Sequence, residues 1–134
     1  MPGPAPKFDP VRRNARGGPL QLPAEGRKGK APAWPLPGEP AEEEHEAWAE
    51  LWRTPQAVAW ERLGWTRTVG RYCRVMVAAE QEDASAQLLA QATALEDRLG
   101  LTPKAMRLLL WEVVADEVAE QRQATNVRKR IKAV

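Results

Sequence analysis

Cysteine and histidine each occur once, as Cys73 and His45, and tyrosine and phenylalanine are equally scarce. One cysteine excludes an intramolecular disulfide. One cysteine and one histidine cannot supply the ligands of a structural zinc site within a single chain. The only Cys–His pair open to nucleophilic catalysis would join an acidic helix start to an apolar stripe, a poor setting for an activated thiol. No run approaches the roughly 18 apolar residues of a membrane span. The N-terminus lacks the apolar centre of a signal peptide, so the expected setting is intracellular. No glycine-rich loop follows a strand pattern, and Gly17-Gly18 lies in a proline-rich stretch rather than ahead of a helix. Sustained period-two alternation is missing, which predicts no sheet. These absences give an expectation of no catalytic residues, no metal and no cofactor, and of a protein that is not an enzyme.

What is abundant is charge, unevenly placed. The 134 residues carry a formal net charge of +2, but residues 1–38 hold +5, residues 39–121 hold −8 and residues 122–134 hold +5. Basic ends on an acidic body point to a polyanionic partner, and nucleic acid is the expected one. Most of the 12 prolines and six of the nine glycines fall in the first 40 residues. Residues 1–40 therefore read as a flexible basic arm carrying Arg12, Arg13, Arg16, Arg27, Lys28 and Lys30. Within it, Trp34, Leu36, Leu20 and Leu22 are candidates to dock on the body as an extended peptide. Residues 41–123 read as the helical core and oligomerisation domain, and residues 124–134 as a tail with Arg128, Lys129, Arg130 and Lys132.

The core predicts an all-α fold, a helical hairpin with flanking helices. A helix starts near Pro40, with Glu42, Glu43 and Glu44 suited to its N-terminal end. Thr54-Pro55 reads as a cap and first helical residue of a short helix that Gly64 stops. Val69, Tyr72, Cys73 and Met76 mark a helix over 66–81, and Leu88, Ala92, Leu95 and Leu99 one over 84–99. Gly100 reads as the cap of the second, and the pair as an antiparallel hairpin. Thr102-Pro103 opens a third long helix expected to reach residue 123, with Met106, Leu109, Leu110, Val113, Val114 and Val118 facing inward. Leu108 and Trp111 fall off that stripe and suggest a surface between subunits. Together with Val69, Tyr72, Met76, Leu88 and Leu95 they form the candidate oligomerisation set.

Three features invite a sharper reading. Trp48, Trp52, Trp60 and Trp65 crowd into 18 residues. They suit either a stacking platform for unpaired bases or an aromatic packing cluster. The acidic surroundings favour packing. The many carboxylates read as solvated faces rather than acid–base pairs, because convergent partner groups are missing. Gly100-Leu101-Thr102-Pro103 resembles the turn of a helix-turn-helix unit, which would set Lys104 and Arg107 at the start of a DNA-reading helix. The same turn chemistry also makes a purely structural corner.

The order of several words is more specific than any one of them. The arm carries Leu22-Pro23-Ala24-Glu25-Gly26-Arg27-Lys28-Gly29 and Trp34-Pro35-Leu36; Trp48-Ala49-Glu50-Leu51-Trp52-Arg53-Thr54-Pro55-Gln56-Ala57 and Leu95-Glu96-Asp97-Arg98-Leu99-Gly100-Leu101-Thr102-Pro103 follow, then a basic tail. This arrangement, over roughly 12–118, resembles the small terminase subunit of tailed double-stranded DNA phages, in particular those of actinobacterial hosts. The resemblance implies a helical-hairpin subunit that forms a homo-oligomeric ring in the host cytoplasm. It would bind viral DNA at the packaging site and load it onto the large terminase subunit, which holds the ATPase and nuclease. A dimeric helix-turn-helix transcriptional regulator is the alternative.

Overall fold

The computed structural model describes residues 19–115 and 117–132. In chain order the elements are β1 (Leu20–Pro23), α1 (Glu42–Leu51), α2 (Gln56–Leu63), α3 (Thr66–Ala79), α4 (Ala86–Arg98), α5 (Pro103–Leu109), β2 (Trp111–Val114) and α6 (Glu117–Lys132). The fold is mostly helical, as the periodicity predicts, and the expected hairpin is α3–α4. Tyr72, midway along α3, donates its hydroxyl to Glu96 Oε1 at 2.9 Å, late in α4, as an antiparallel pair joined by the short turn at 80–85 requires. Ser85 caps α4, its Oγ accepting from Leu88 N at 3.1 Å. Gly64 and Gly100 both take left-handed φ, at +73° each, and end α2 and α4 where glycine was expected to end them. Thr54 does not cap α2. Its hydroxyl turns back to donate to Leu51 O at 2.7 Å.

The expectation of no sheet, and of one helix over 103–123, is corrected. Helix α5 lasts seven residues and stops at Leu110, which takes a left-handed φ of +58°. The chain then extends as β2, parallel to β1, with Leu20 opposite Trp111 and Leu22 opposite Val113. Leu20 N donates to Leu110 O at 2.7 Å and Ala24 N to Val114 O at 2.9 Å. Bonds toward β2 thus come from even-numbered residues of β1, and Pro23, which has no N–H, falls at a position that needs none. The physical reason for the break is burial. An unbroken helix leaves Leu22 without a partner strand and turns Trp111 away from the body. The break places both in the core.

That core is built on indoles. Trp34, Trp48, Trp52 and Trp60 make a consecutive edge-to-face series with centroids 5.2, 5.4 and 5.7 Å apart. Such contacts are worth roughly 0.5–1.5 kcal/mol each beyond area burial. Leu22, Trp52, Trp60, Val69, Cys73 and Leu99 are almost fully buried around it. Two indole N–H groups tie distant segments to the body: Trp48 Nε1 donates to Pro32 O and Trp60 Nε1 to Leu99 O, both at 2.8 Å. Residues 20–36 of the expected arm therefore lie against the helices, with Leu22 buried and Leu20, Trp34 and Leu36 half-buried, in line with their docking as an extended peptide. Arg12, Arg13 and Arg16 lie outside the described residues.

Candidate nucleic-acid interface

Of the basic residues singled out from the sequence, Arg27, Lys28, Lys30, Lys104, Arg107, Arg128, Lys129, Arg130 and Lys132 fall within the described residues. Arg27 is committed within the fold. Its Nε donates to Glu61 Oε2 at 2.6 Å, its Nη1 donates to Lys30 O at 2.9 Å, and its guanidinium lies 5.4 Å from the Trp52 ring centroid. It is thus a structural arginine rather than a free phosphate contact. Lys28 and Lys30 beside it are exposed. Lys104 and Arg107 are exposed on α5. The corner ahead of them has the expected chemistry: Thr102 caps α5, accepting from Ala105 N at 3.1 Å, with Pro103 at the first helical position.

Three polar groups at that corner are used internally. Trp60 donates to Leu99 O, Gln56 Nε2 to Gly100 O at 3.3 Å, and the Thr102 hydroxyl to Asp97 Oδ1 at 2.8 Å. With only seven residues before the chain leaves for β2, α5 is short for a helix that reads a groove. Arg128, Lys129, Arg130 and Lys132 are exposed on the C-terminal half of α6, so the tail residues are carried by a helix.

The oligomerisation candidates divide. Val69, Tyr72 and Trp111 are buried within the chain and have no face left to offer a second copy. Trp111 in particular lies 6.0 Å from Trp65 and covers Gly100, whose Cα hydrogens touch the indole. Met76, Leu88 and Leu95 are half-buried along the hairpin. Leu108 is 76% exposed, and Leu110 and Val113 are exposed on the same α5–β2 segment.

Charge is segregated on the body. A cleft of about 400 Å³ between α1 and α3 is lined by Glu43, Glu46, Glu50 and Glu80 over an apolar floor of Ala47, Met76 and Val77. Glu44 faces the other way and is buried. Its Oε1 accepts from Ala41 N at 2.9 Å, one half of a capping box, and its Oε2 accepts from Arg74 Nε at 2.9 Å. Burial alone pushes the Glu44 carboxyl up, but the Ala41 N–H and the Arg74 guanidinium outweigh it and hold the acid below its ordinary value. Burial, then the nearby Glu44 carboxylate, pushes the Cys73 thiol up to about 12. Its Sγ donates to Glu44 O at 3.2 Å, while His45 is exposed, so the two form no nucleophile–base pair. Among the described residues no group of His, Cys, Asp and Glu is arranged to hold a metal ion. No helix among them is long and apolar enough to cross a membrane.

Sequence reading overlooked one group. Arg62, at the end of α2, and Arg67, Arg71 and Arg74 along α3 occupy residues 62–79, a stretch with four arginines and no acid. That acid-free run was the available signal. It was hidden because the surrounding body, residues 39–121, sums to −8.

A family model described as phage terminase small subunit matches residues 1–133, almost the whole chain. The chain belongs to the phage terminase small subunit family. It is therefore a protein of phage DNA packaging, and the resemblance read from the arm, the tryptophan segment and the 95–103 corner is borne out at the level of the family. No curated protein and no solved structure matches it. In this small subunit the tryptophans form a packing cluster, because Trp48, Trp52 and Trp60 have no open ring face to stack on a base.

Proposed function

We propose that this small terminase subunit binds viral duplex DNA at the packaging site through basic segments repeated around a homo-oligomer. It then recruits the large terminase subunit, with its ATPase and nuclease, in the host cytoplasm. The family match over residues 1–133 is the observation that carries this reading. The charge layout supports it: the +5 N-terminal and +5 C-terminal segments bracket a body of −8. Arg12, Arg13, Arg16, Lys28, Lys30, Arg128, Lys129, Arg130 and Lys132 are the proposed phosphate contacts, with Lys104 and Arg107 a secondary pair. Each contact is weak and salt-dependent. Held on one assembly, the later contacts become intramolecular and avidity multiplies them. Copies meet through Leu108 and the half-buried Met76, Leu88 and Leu95, and the acidic cleft between α1 and α3 stays off the duplex.

Native mass measurement of the purified full chain, with and without duplex DNA, tests the reading. A closed oligomer larger than a dimer whose DNA binding weakens steeply with salt is expected. A dimer selective for a palindromic site favours the transcriptional regulator instead. A monomer indifferent to DNA at low salt refutes both.

A further inference from the structure

We infer that the exposed arginine face of α3, Arg67 and Arg71 with Arg62 just ahead of them, is a docking site for the phosphate backbone of duplex DNA. The inference rests on the packaging reading but assigns DNA to a part of the body to which that reading gives no role. At about 100° per residue, Arg67, Arg71 and Arg74 fall within roughly 60° of one another on the helix, a single ridge about 10 Å long. The opposite face is fixed in the core: Val69, Tyr72 and Cys73 are buried there. Gly70 packs closely against Pro35 and Leu36, so the flank of the ridge is held as well. The ridge cannot roll away from solvent.

What marks this face is that its arginines lie close together on one helix, unlike the two arginines that the fold consumes in packing. Arg74 is given the buried Glu44 carboxylate and the Trp34 ring, 5.4 Å from its guanidinium. Arg27 is given Glu61 and the Trp52 ring. Where an arginine serves packing, the chain supplies a carboxylate and an indole. Arg62, Arg67 and Arg71 are exposed and have no carboxylate within ion-pair distance among the described residues. No acid occurs between Arg62 and Ala79, although residues 39–121 carry 16 of the 18 acids. Arg67 and Arg71 are one helical turn apart, with Cβ atoms about 5–6 Å from each other. Two long guanidinium forks at that spacing suit phosphates of one strand, and the planar fork grips a phosphate in two places where an ammonium acts as a point charge.

The test is fluorescence anisotropy of the full chain on a labelled duplex between about 50 and 200 mM salt, comparing wild type, R67A/R71A, R67K/R71K and R128A/K129A/R130A/K132A, each checked by circular dichroism. Loss of two phosphate contacts lowers the slope of log affinity against log salt by about 1.8 for each subunit engaged. R67A/R71A is expected to lose that slope and roughly tenfold or more in affinity at low salt, uniformly across duplex sequences. R67K/R71K, which keeps the charge and the fold, is expected to retain most of the slope. An R67A/R71A protein with wild-type slope and affinity overturns the inference and leaves the packaging reading standing if the tail variant is impaired. A wild-type chain that ignores duplex at low salt sinks both.

Discussion

Trp60 and Trp52 are neighbours in the indole series, both almost fully buried, yet they stand differently to hydrogen bonding. Trp60 Nε1 donates to Leu99 O at 2.8 Å, whereas Trp52 Nε1 is buried with no protein acceptor. Replacing each with phenylalanine removes the same atoms. The lost apolar burial is worth about 2 kcal/mol in both cases, at about 0.8 kcal/mol per buried methylene-sized group. W60F additionally strands a buried carbonyl at the end of α4, at a cost of roughly 1–3 kcal/mol. W52F instead removes a desolvated donor that has nothing to bond, which offsets part of its packing loss. W60F is therefore expected to cost about 3–5 kcal/mol and W52F about 1–2, a gap of at least ~1 kcal/mol. For a domain of this size that gap separates the melting temperatures by at least ~4 °C. Calorimetry and far-ultraviolet dichroism on the two single variants read it directly, since the other five indoles make fluorescence ambiguous. If W52F proves as damaging as W60F, the hydrogen bond to Leu99 is not what distinguishes the two sites. The reasoning from polar satisfaction then fails.

Three further outcomes follow from local geometry. G100A is expected to destabilise by about 2 kcal/mol or more, seen as a lower Tm, because φ at Gly100 is +73° and a Cβ there collides with the Trp111 ring. L110G is expected to stabilise, or at worst be neutral, by about 1 kcal/mol in urea denaturation, because Leu110 sits at φ +58° with 59% of its surface exposed and so gives up little burial. Glu44 has a lowered folded-state pKa, so its contribution is fully present above the unfolded carboxyl value near 4.5 and is lost as pH falls through the lower folded value. Denaturant midpoints between about pH 6 and pH 3 should therefore fall less steeply in E44Q than in wild type, and parallel profiles would exclude Glu44 as a contributor.

The helices were legible because their stripes and punctuation agree. Val69, Tyr72, Cys73 and Met76 repeat at helical spacing, and Gly64, Gly100 and Thr102-Pro103 mark ends that the structure confirms. The two strands were not legible, for a reason of length. Each has four residues, too few to show alternation. Val113 and Val114 also continue the helical stripe of Met106, Leu109 and Leu110, so local pattern alone extends α5. Only the non-local demand of Leu22 for a partner strand ends the helix, and a window on sequence cannot see from Leu22 to Val113. At the interface the reverse held. Charge counted along the chain found the ends but averaged away the body, where the acids lining the α1–α3 cleft cancel in a sum with Arg67 and Arg71, which do not line it. Arg27 was misread for the same reason: its partner Glu61 is 34 residues away.

The indoles connect this small core to its charged face. A chain with one phenylalanine and one tyrosine relies on its six tryptophans for aromatic bulk, and each brings an N–H that costs free energy unless an acceptor is found. Trp48 takes the carbonyl of Pro32, which fixes the proline-rich segment where its next residues meet α3: Pro35 and Leu36 touch Gly70, and Pro35, Leu36 and Pro37 line one cleft with Arg67. Trp34, in the same segment, lies against Trp48 and under the guanidinium of Arg74. The segment thus braces one flank of the arginine ridge and occupies its third member, leaving Arg67 and Arg71 as the part turned outward. Burial of tryptophan, a stability requirement, sets which arginines are consumed and which are presented, and so ties the packing of a thin core to the charge that this packaging subunit displays.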